Sequence, residues 1–331
     1  MYFEKLKTVP TSQELLDKAF SRGTRAMMGK EITGPASRRD ANESMVLTSA
    51  NILTDNMKNI VRMYPNLDSI SLFYADLVDI LVGIDELKKS LGQIDWAASK
   101  IHSLSRDFVG RLRKSQDPDS IRREAMGRIS SVVYSVEKDL EFLNEARNKL
   151  RKLPDVKEEP TIIVAGFPNV GKSSFVSLVS TAKPEISTYP FTTKGLLVGH
   201  FEHEKLRYQI LDTPGLLDRP IFERNEIELQ AITALTRLDA VVLFIIDPSQ
   251  SCGYLVEDQL NLAKDIEQNI ELPIIIVANK SDRDDFSEIS GVEYIMSTLD
   301  GTGTEEILMK LINMLPKPKP PGIPEKLRDL Y

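Results

Sequence analysis

The chain has 331 residues, 41% of them hydrophobic and 27% charged, with a net charge of −7; that is enough for two cores and too apolar for intrinsic disorder. No run approaches the roughly 18 apolar residues of a membrane span, and the opening MYFEKLKTVP lacks the apolar core of a signal peptide. One cysteine, Cys252, rules out an internal disulfide and fits a reducing cytoplasm, while His102, His200 and His203 are too few and too badly spaced for a zinc site.

The first half reads as helices. TSQE (Thr11–Glu14) forms a capping box ahead of Leu15, Leu16, Ala19 and Phe20. Met45, Ser49, Ile52, Asn56, Ile60 and Met63 recur at helical spacing until Pro65. One apolar stripe then runs from Leu72 through Leu77 to Ile84, and another from Ile94 to Phe108. From Ile121 the pattern Ile129, Val132, Val136, Leu140, Leu143 and Leu150 predicts one long final helix that Pro154 stops. DVKEE, between Pro154 and Pro160, marks a domain boundary. Beyond it, strand-length apolar runs alternate with helical segments: TIIVA at 161, LLVGHF at 196, YQILD at 208, AVVLFIID at 240 and LPIIIVAN at 272. Such runs suit a mostly parallel sheet covered on both faces. His200 and His203 flank an expected strand end and read as structural.

GFPNVGKSS (Gly166–Ser174) follows the first of these strands and fits G-x-x-x-x-G-K-[ST] in the context that motif requires. Gly166 and Gly171 permit a tight loop whose N–H groups face phosphate oxygens, with Phe167, Pro168, Asn169, Val170 and Ser174 completing the cradle. Lys172 reaches the outer phosphates, and Ser173 offers a hydroxyl to Mg²⁺. DTPGLLD places the Asp212 carboxylate at a strand end, where it manages Mg²⁺ directly or through water, and presents the Gly215 N–H to a γ-phosphate. In NKSD, Asp282 can accept hydrogen bonds from guanine N1–H and its 2-amino group, which adenine lacks; this selects GTP over ATP. Asn279, Lys280, Ser297 and Thr298 complete the guanine-reading set. YPFTTKG supplies a switch hydroxyl for Mg²⁺, Thr193 in preference to Thr192. Each motif is short enough to arise by chance, but all appear in this order in one α/β half. Lys172, Thr193 and Gly215 are the residues expected to act on the γ-phosphate. Where a Ras-like site has glutamine after Gly215, this chain has Leu216 and Leu217, so unaided hydrolysis is expected to be slow.

The expected fold class is α/β: a Ras-like P-loop GTPase domain over 159–315, preceded by an all-α helical bundle over 1–158 and followed by a Pro-rich tail over 316–331. The first half carries 26 Lys/Arg against 24 Asp/Glu and the second 16 against 25, so bulk charge does not demand a nucleic-acid partner. Arg106, Arg111, Arg113, Lys114, Arg122, Arg123 and Arg128 read either as a phosphate-contacting patch or as a solvated face with acidic partners Asp107, Asp117 and Glu124.

GFPNVGKS and the PFTT switch resemble the Obg-related branch of translation-factor GTPases. FTTKGLLVGHF, DTPGLLDRPIFERNEIELQAITAL, IDPSQSCGY and, in the first half, YPNLDSISLFYADL and REAMGRI resemble the nucleolar GTP-binding protein 1 family. That resemblance implies a GTP/GDP- and Mg²⁺-dependent GTPase in large ribosomal subunit biogenesis. It also implies partners in rRNA and ribosomal proteins of the subunit or its precursor, with the helical half docking on rRNA. Eukaryotic members continue well beyond this chain's end, so the form resembles the archaeal short one, a cytoplasmic monomer with no membrane partner. Asn169 is similar to the asparagine of potassium-stimulated GTPases, although it serves equally to shape the loop. The other reading of the residues is a GTP-regulated scaffold of a protein complex with no RNA contact.

Overall fold

The computed structural model describes residues 2–187, 189 and 195–316; Thr192, Thr193 and the Pro-rich tail past residue 316 lie outside the described residues. The chain forms two compact units. One comprises Tyr2–Ile70 with Leu81–Arg151, and the other Ser71–Ile80 with the chain from Lys152 onward.

The first unit is helical. α1 (Ser12–Met28) opens on the expected capping box: Thr11 Oγ1 accepts from the Glu14 N–H at 3.2 Å, and Glu14 Oε2 accepts from the Thr11 N–H at 2.8 Å. α2 (Pro35–Met63) starts at Pro35 rather than Met45. Its first turns, PASRRDANE, carry no apolar stripe. They are set instead by proline at the helix start and by Ser37 Oγ, which accepts from the N–H groups of Thr33 and Gly34 at 2.9 Å. α3 (Leu72–Val82) and α4 (Ile84–Lys114) divide the stripe expected to run through Ile84. Gly83 stands between them at φ +76, a conformation that ends a helix.

The expected long final helix is also two, α5 (Pro118–Ser135) and α6 (Glu137–Leu150). The SSVVYSV run before the break is weakly helical. Within it, Ser131 Oγ donates to Gly127 O at 2.9 Å and Ser135 Oγ to Val132 O at 2.8 Å, competing with the backbone ladder. Leu53, Met57, Leu87, Ile94, Ile101 and Leu143 are fully buried and form the centre of this core.

The second unit takes residues 71–80 from the stretch expected to belong wholly to the helical half. Phe73, Tyr74, Leu77 and Val78 are all buried there. The Tyr74 hydroxyl donates to Pro154 O at 2.6 Å and accepts from the Val156 N–H at 3.0 Å, and Arg237 Nε donates to Asp76 Oδ2 at 3.0 Å.

The sheet of this unit is built from β1 (Thr161–Ala165), β2 (Glu185–Ser187), β3 (Leu196–His203), β4 (Leu206–Asp212), β5 (Ala240–Ile246), β6 (Ile274–Ala278) and β7 (Tyr294–Ile295). Their order is β2-β3-β4-β1-β5-β6-β7. β4, β1, β5, β6 and β7 run parallel, and β3 pairs antiparallel with both β2 and β4. α7 (Lys172–Val179), α8 (Glu226–Leu235), α9 (Val256–Asn269) and α10 (Thr304–Met314) complete the unit. Every residue of β1 and β5 is buried, which is why both read as continuous apolar runs. Burying each such Ile or Val contributes about 1.5–3 kcal/mol. β1 and β4, neighbours in the sheet, therefore end rigidly side by side at their carboxyl edge, where open α/β sheets bind ligands.

Candidate functional site

The loop from Gly166 to Gly171 joins β1 to α7 and turns on residues of positive φ: Gly166 at +129, Asn169 at +64 and Gly171 at +109. A Cβ on Gly171 would lie 2.2 Å from Asn279 Nδ2, so glycine is required for the approach as well as for the turn. The Lys172 ammonium is buried and donates to Gly166 O at 2.9 Å and Phe167 O at 2.8 Å. It thus lies across the mouth of its own loop. Asn169 and Ser174 are exposed, Pro168 is half-buried, and Val170 is fully buried. The ring of Phe167 stacks on Tyr254 with centroids 4.2 Å apart.

Ser173 Oγ donates to Asp212 Oδ2 at 2.5 Å, joining α7 to the end of β4. Asp212 is fully buried and its other oxygen, Oδ1, has no hydrogen-bond partner among the described residues. Burial raises its pKa above the ordinary carboxylate value, against the Ser173 bond and the charge of Lys172. A buried, orphaned carboxylate oxygen beside a serine hydroxyl is a hard-oxygen set that fits Mg²⁺, an ion held by one or two protein oxygens and otherwise by phosphates and water. Among the described residues no cluster of three or more His, Cys, Asp or Glu offers a fuller cage.

On the far side of β1, Asn279 follows β6 and is fully buried. Its Nδ2 donates to Val170 O at 2.8 Å and Thr298 Oγ1 at 3.1 Å, while its Oδ1 accepts from the Thr298 N–H at 3.0 Å. One amide therefore ties the 166–171 loop to the loop after β7. Ser297 Oγ donates to Asp282 Oδ1 at 2.7 Å and aims an otherwise exposed carboxylate. Lys280 Nζ donates to Asp247 Oδ2 at 2.7 Å and Ser251 Oγ at 2.8 Å, so only its aliphatic stem is left to face a ligand.

Sequence reasoning passed over Asp247. Fully buried, it also accepts from the N–H groups of Ser249 (3.1 Å) and Cys252 (2.8 Å) and from the hydroxyls of Ser249 (2.6 Å) and Ser251 (2.9 Å). Its signal was a carboxylate ending an apolar strand, the position that singled out Asp212.

After β4 the loop turns at Gly215, φ +83. Leu216 and Leu217 are buried at 1% and 3% exposure, which removes both side chains from any role in orienting water. Leu217 O accepts from the Gly166 N–H at 3.0 Å, pinning this loop to the 166–171 turn. Arg224 and Asp218, neither singled out in the sequence, complete the loop.

In the helical unit the basic cluster is neutralised in part. Arg111 makes a bidentate pair with Glu124 at 3.0 and 2.5 Å, and Arg113 one with Glu43 at 3.0 and 2.5 Å; Arg122 Nε donates to Asn42 Oδ1 at 2.6 Å. Arg106, Lys114 and Arg128 form no salt bridge among the described residues. No helix among them is long and apolar enough to cross a membrane.

A mostly parallel sheet with Gly166–Ser174, Asp212–Gly215, Asn279–Asp282 and Ser297–Thr298 gathered at its carboxyl edge has the fold of a Ras-like P-loop GTPase domain, here preceded by an all-α unit. Comparison with known proteins makes this specific. The NOG1 N-terminal helical domain model matches residues 3–157, and the model for nucleolar GTP-binding protein 1 (NOG1) matches 226–282. An uncharacterized protein of Methanocaldococcus jannaschii is 40% identical over 286 residues, covering 85% of this chain and 81% of that one. Nucleolar GTP-binding protein 1 of Encephalitozoon cuniculi is 40% identical, covering 76% of this chain and 49% of its own length. The Drosophila melanogaster protein is 37% identical, covering 85% and 44%. A solved Plasmodium falciparum chain described as nucleolar GTP-binding protein 1 is 37% identical and covers 49% of this chain and 89% of its own, with a TM-score of 0.43. The chain belongs to the nucleolar GTP-binding protein 1 family, and it spans about half the length or less of the two relatives that bear that name here.

Proposed function

We propose that the second unit binds GTP with Mg²⁺ and hydrolyses it to GDP, and that the chain uses this cycle as a cytoplasmic switch in large ribosomal subunit biogenesis. The observation that carries the nucleotide reading is the Asn279 amide, which bonds Val170 O and both hydrogen-bonding groups of Thr298. It holds a phosphate loop and a base-reading loop at fixed separation before any ligand arrives.

The backbone of Gly166–Gly171, with Lys172, Ser173 and Ser174, cradles the phosphates. Lys172 exchanges its two carbonyl partners for phosphate oxygens and neutralises charge on the γ-phosphoryl as it transfers to water. Asp282, aimed by Ser297, accepts from guanine N1–H and the 2-amino group, and the Lys280 stem lies along the base. Ser173, Asp212 and the switch residue Thr193 would hold Mg²⁺. Bound there, Mg²⁺ would supply Lewis-acid neutralisation of phosphate charge. Asn169 would hold a K⁺ ion at the exposed lip of the loop. The helical residues 1–158 act as the docking part for rRNA, through Arg106, Lys114 and Arg128. The 159–315 segment is the switch.

The tests are nucleotide titration with phosphate release, then co-sedimentation with large ribosomal subunits in GTP analogue, GDP or no nucleotide at one fixed salt concentration. Pelleting that requires the GTP analogue supports the switch. Tight nucleotide binding without pelleting in any state favours the second reading, a GTP-regulated scaffold without RNA contact. The neutralised pairs Arg111–Glu124 and Arg113–Glu43 already lean towards that reading.

A further inference from the structure

Gly215 has one backbone N–H, and in this structure it is taken. It donates to Asp218 Oδ2 at 2.8 Å. The other carboxylate oxygen, Oδ1, accepts from Arg224 Nη2 at 3.1 Å, and Arg224 Nη1 donates to Gly215 O at 2.5 Å. Gly215, Asp218 and Arg224 thus close a ring in which one guanidinium holds both the carbonyl of the glycine and the anion bound to its amide.

A plain turn explains a carboxylate that accepts from an amide three residues back. It does not explain why the side chain of Arg224 is fully buried there, with its Nε lacking a hydrogen-bond partner among the described residues. Burying a cation is costly unless its partners are well placed. Two of the three partners Arg224 keeps, Gly215 O and Asp218 Oδ1, fix Gly215; the third is Arg219 O at 3.3 Å. Elsewhere the loop is anchored independently, by buried Leu216 and Leu217 and by the Gly166 N–H to Leu217 O bond. The Gly215 amide is therefore the exchangeable contact in a pinned loop. A carboxylate oxygen and a phosphate oxygen are alike as acceptors, and a single N–H cannot serve both at full strength.

We propose that Asp218 is an internal competitor for the γ-phosphate at the Gly215 N–H, held in place by Arg224, so that the chain weakens its own preference for GTP over GDP. This rests on the nucleotide reading above. GDP lacks the group that would contest the amide, so it binds with the ring closed. GTP must displace Asp218. Arg224 stays paired with the displaced carboxylate and limits its repulsion of the phosphate.

The test is titration of the full chain with GDP and with a non-hydrolysable GTP analogue at fixed Mg²⁺, in wild type and Asp218→Asn. Asparagine keeps an oxygen for Arg224 but turns an amide N–H towards the Gly215 N–H, which opens the ring. The analogue is expected to bind about tenfold tighter in the variant, the worth of one charge-assisted bond, with GDP within about twofold. An unchanged ratio of the two affinities overturns the competitor while leaving the guanine site intact. Failure of the wild type to bind either nucleotide overturns the site reading, and the competitor with it. A measurement without any variant guards against misfolding: amide hydrogen exchange at Gly215 in nucleotide-free wild type. Protection relative to an open amide is expected, and exchange at the open rate overturns the ring.

Discussion

Asp282→Asn should convert a guanine site into a xanthine site. Guanine offers two donors, N1–H and the 2-amino group, to the two carboxylate oxygens. Xanthine keeps N1–H but has a carbonyl at position 2, which asks for one acceptor and one donor. Asparagine supplies that pair. The structure fixes which atom does which, because Ser297 Oγ donates to Oδ1 at 2.7 Å; asparagine keeps that oxygen and that bond, and its NH₂ takes the place of Oδ2. Asp282 is exposed and touches no core, so the fold is not at stake. Hydrogen bonds to a charged group are worth about 1.5–3 kcal/mol each. Towards guanine the variant keeps the N1–H bond to a now neutral oxygen and loses the 2-amino bond, so the cost is roughly 2–4 kcal/mol, or about 30–1000-fold in affinity. The Kd for GDP should rise by that range and the Kd for XDP should fall by a comparable factor, both read by calorimetric or fluorescence titration. Equal losses for both nucleotides, or an unchanged GDP affinity, would refute a base-reading role for Asp282.

Gly171→Ala adds a Cβ 2.2 Å from Asn279 Nδ2 at a φ of +109, so nucleotide affinity should fall at least about tenfold and stability by about 1–3 kcal/mol. Burial raises the Asp212 pKa, so in the nucleotide-free protein the stability it contributes is present at low pH and lost as pH rises through the folded value. Asp212→Asn removes the buried charge. In chelator at neutral pH, Tm should rise by about 2–4 °C for each kcal/mol relieved, and the gain should vanish in acid as Mg²⁺-dependent GTP affinity is lost throughout. Gln209 is fully buried, donates from Nε2 to Lys157 O at 2.8 Å and Thr161 Oγ1 at 2.7 Å, and accepts from the Lys157 N–H at 3.1 Å. Gln209→Ala strips those groups of their partner and should cost about 2–4 kcal/mol, read as a lower urea midpoint.

The strands at 161, 196, 208, 240 and 272 were legible because each is a buried run that no helix period explains. β2 and β7 were not: with three and two residues at the sheet edges, they carry too little apolar surface to register. Helix breaks were hidden for a related reason. An apolar stripe continues in register across Gly83 and Val136, and the interruption lies in backbone conformation and serine hydroxyls rather than in hydrophobicity. The proposed site residues were read from motifs whose chemistry demands particular side chains at strand ends. Asp247, Asp218 and Arg224 were missed because their work is to hold other residues, and a holding role fixes no spacing. The departure of residues 71–80 into the second unit was equally silent, since an apolar face does not state which core it enters.

These unmotivated polar residues share a physical logic. Groups at this edge that suit phosphate, metal or base and are buried or half-buried need partners within the chain. Lys172 turns to the carbonyls of Gly166 and Phe167, the Gly215 N–H to Asp218, and the Lys280 ammonium to Asp247. Asp212 Oδ1 finds none among the described residues. Each internal bond must be given up if the ligand is to take its place, so it sets that ligand's apparent affinity; bonds such as Asn279 to Val170, which no ligand contests, only steady the frame. Affinity and selectivity in this site therefore depend as much on the groups that substitute for the nucleotide as on those that touch it. The carboxylate at 218 is the sharpest case, because on the proposed reading it would contest the one phosphate that distinguishes GTP from GDP.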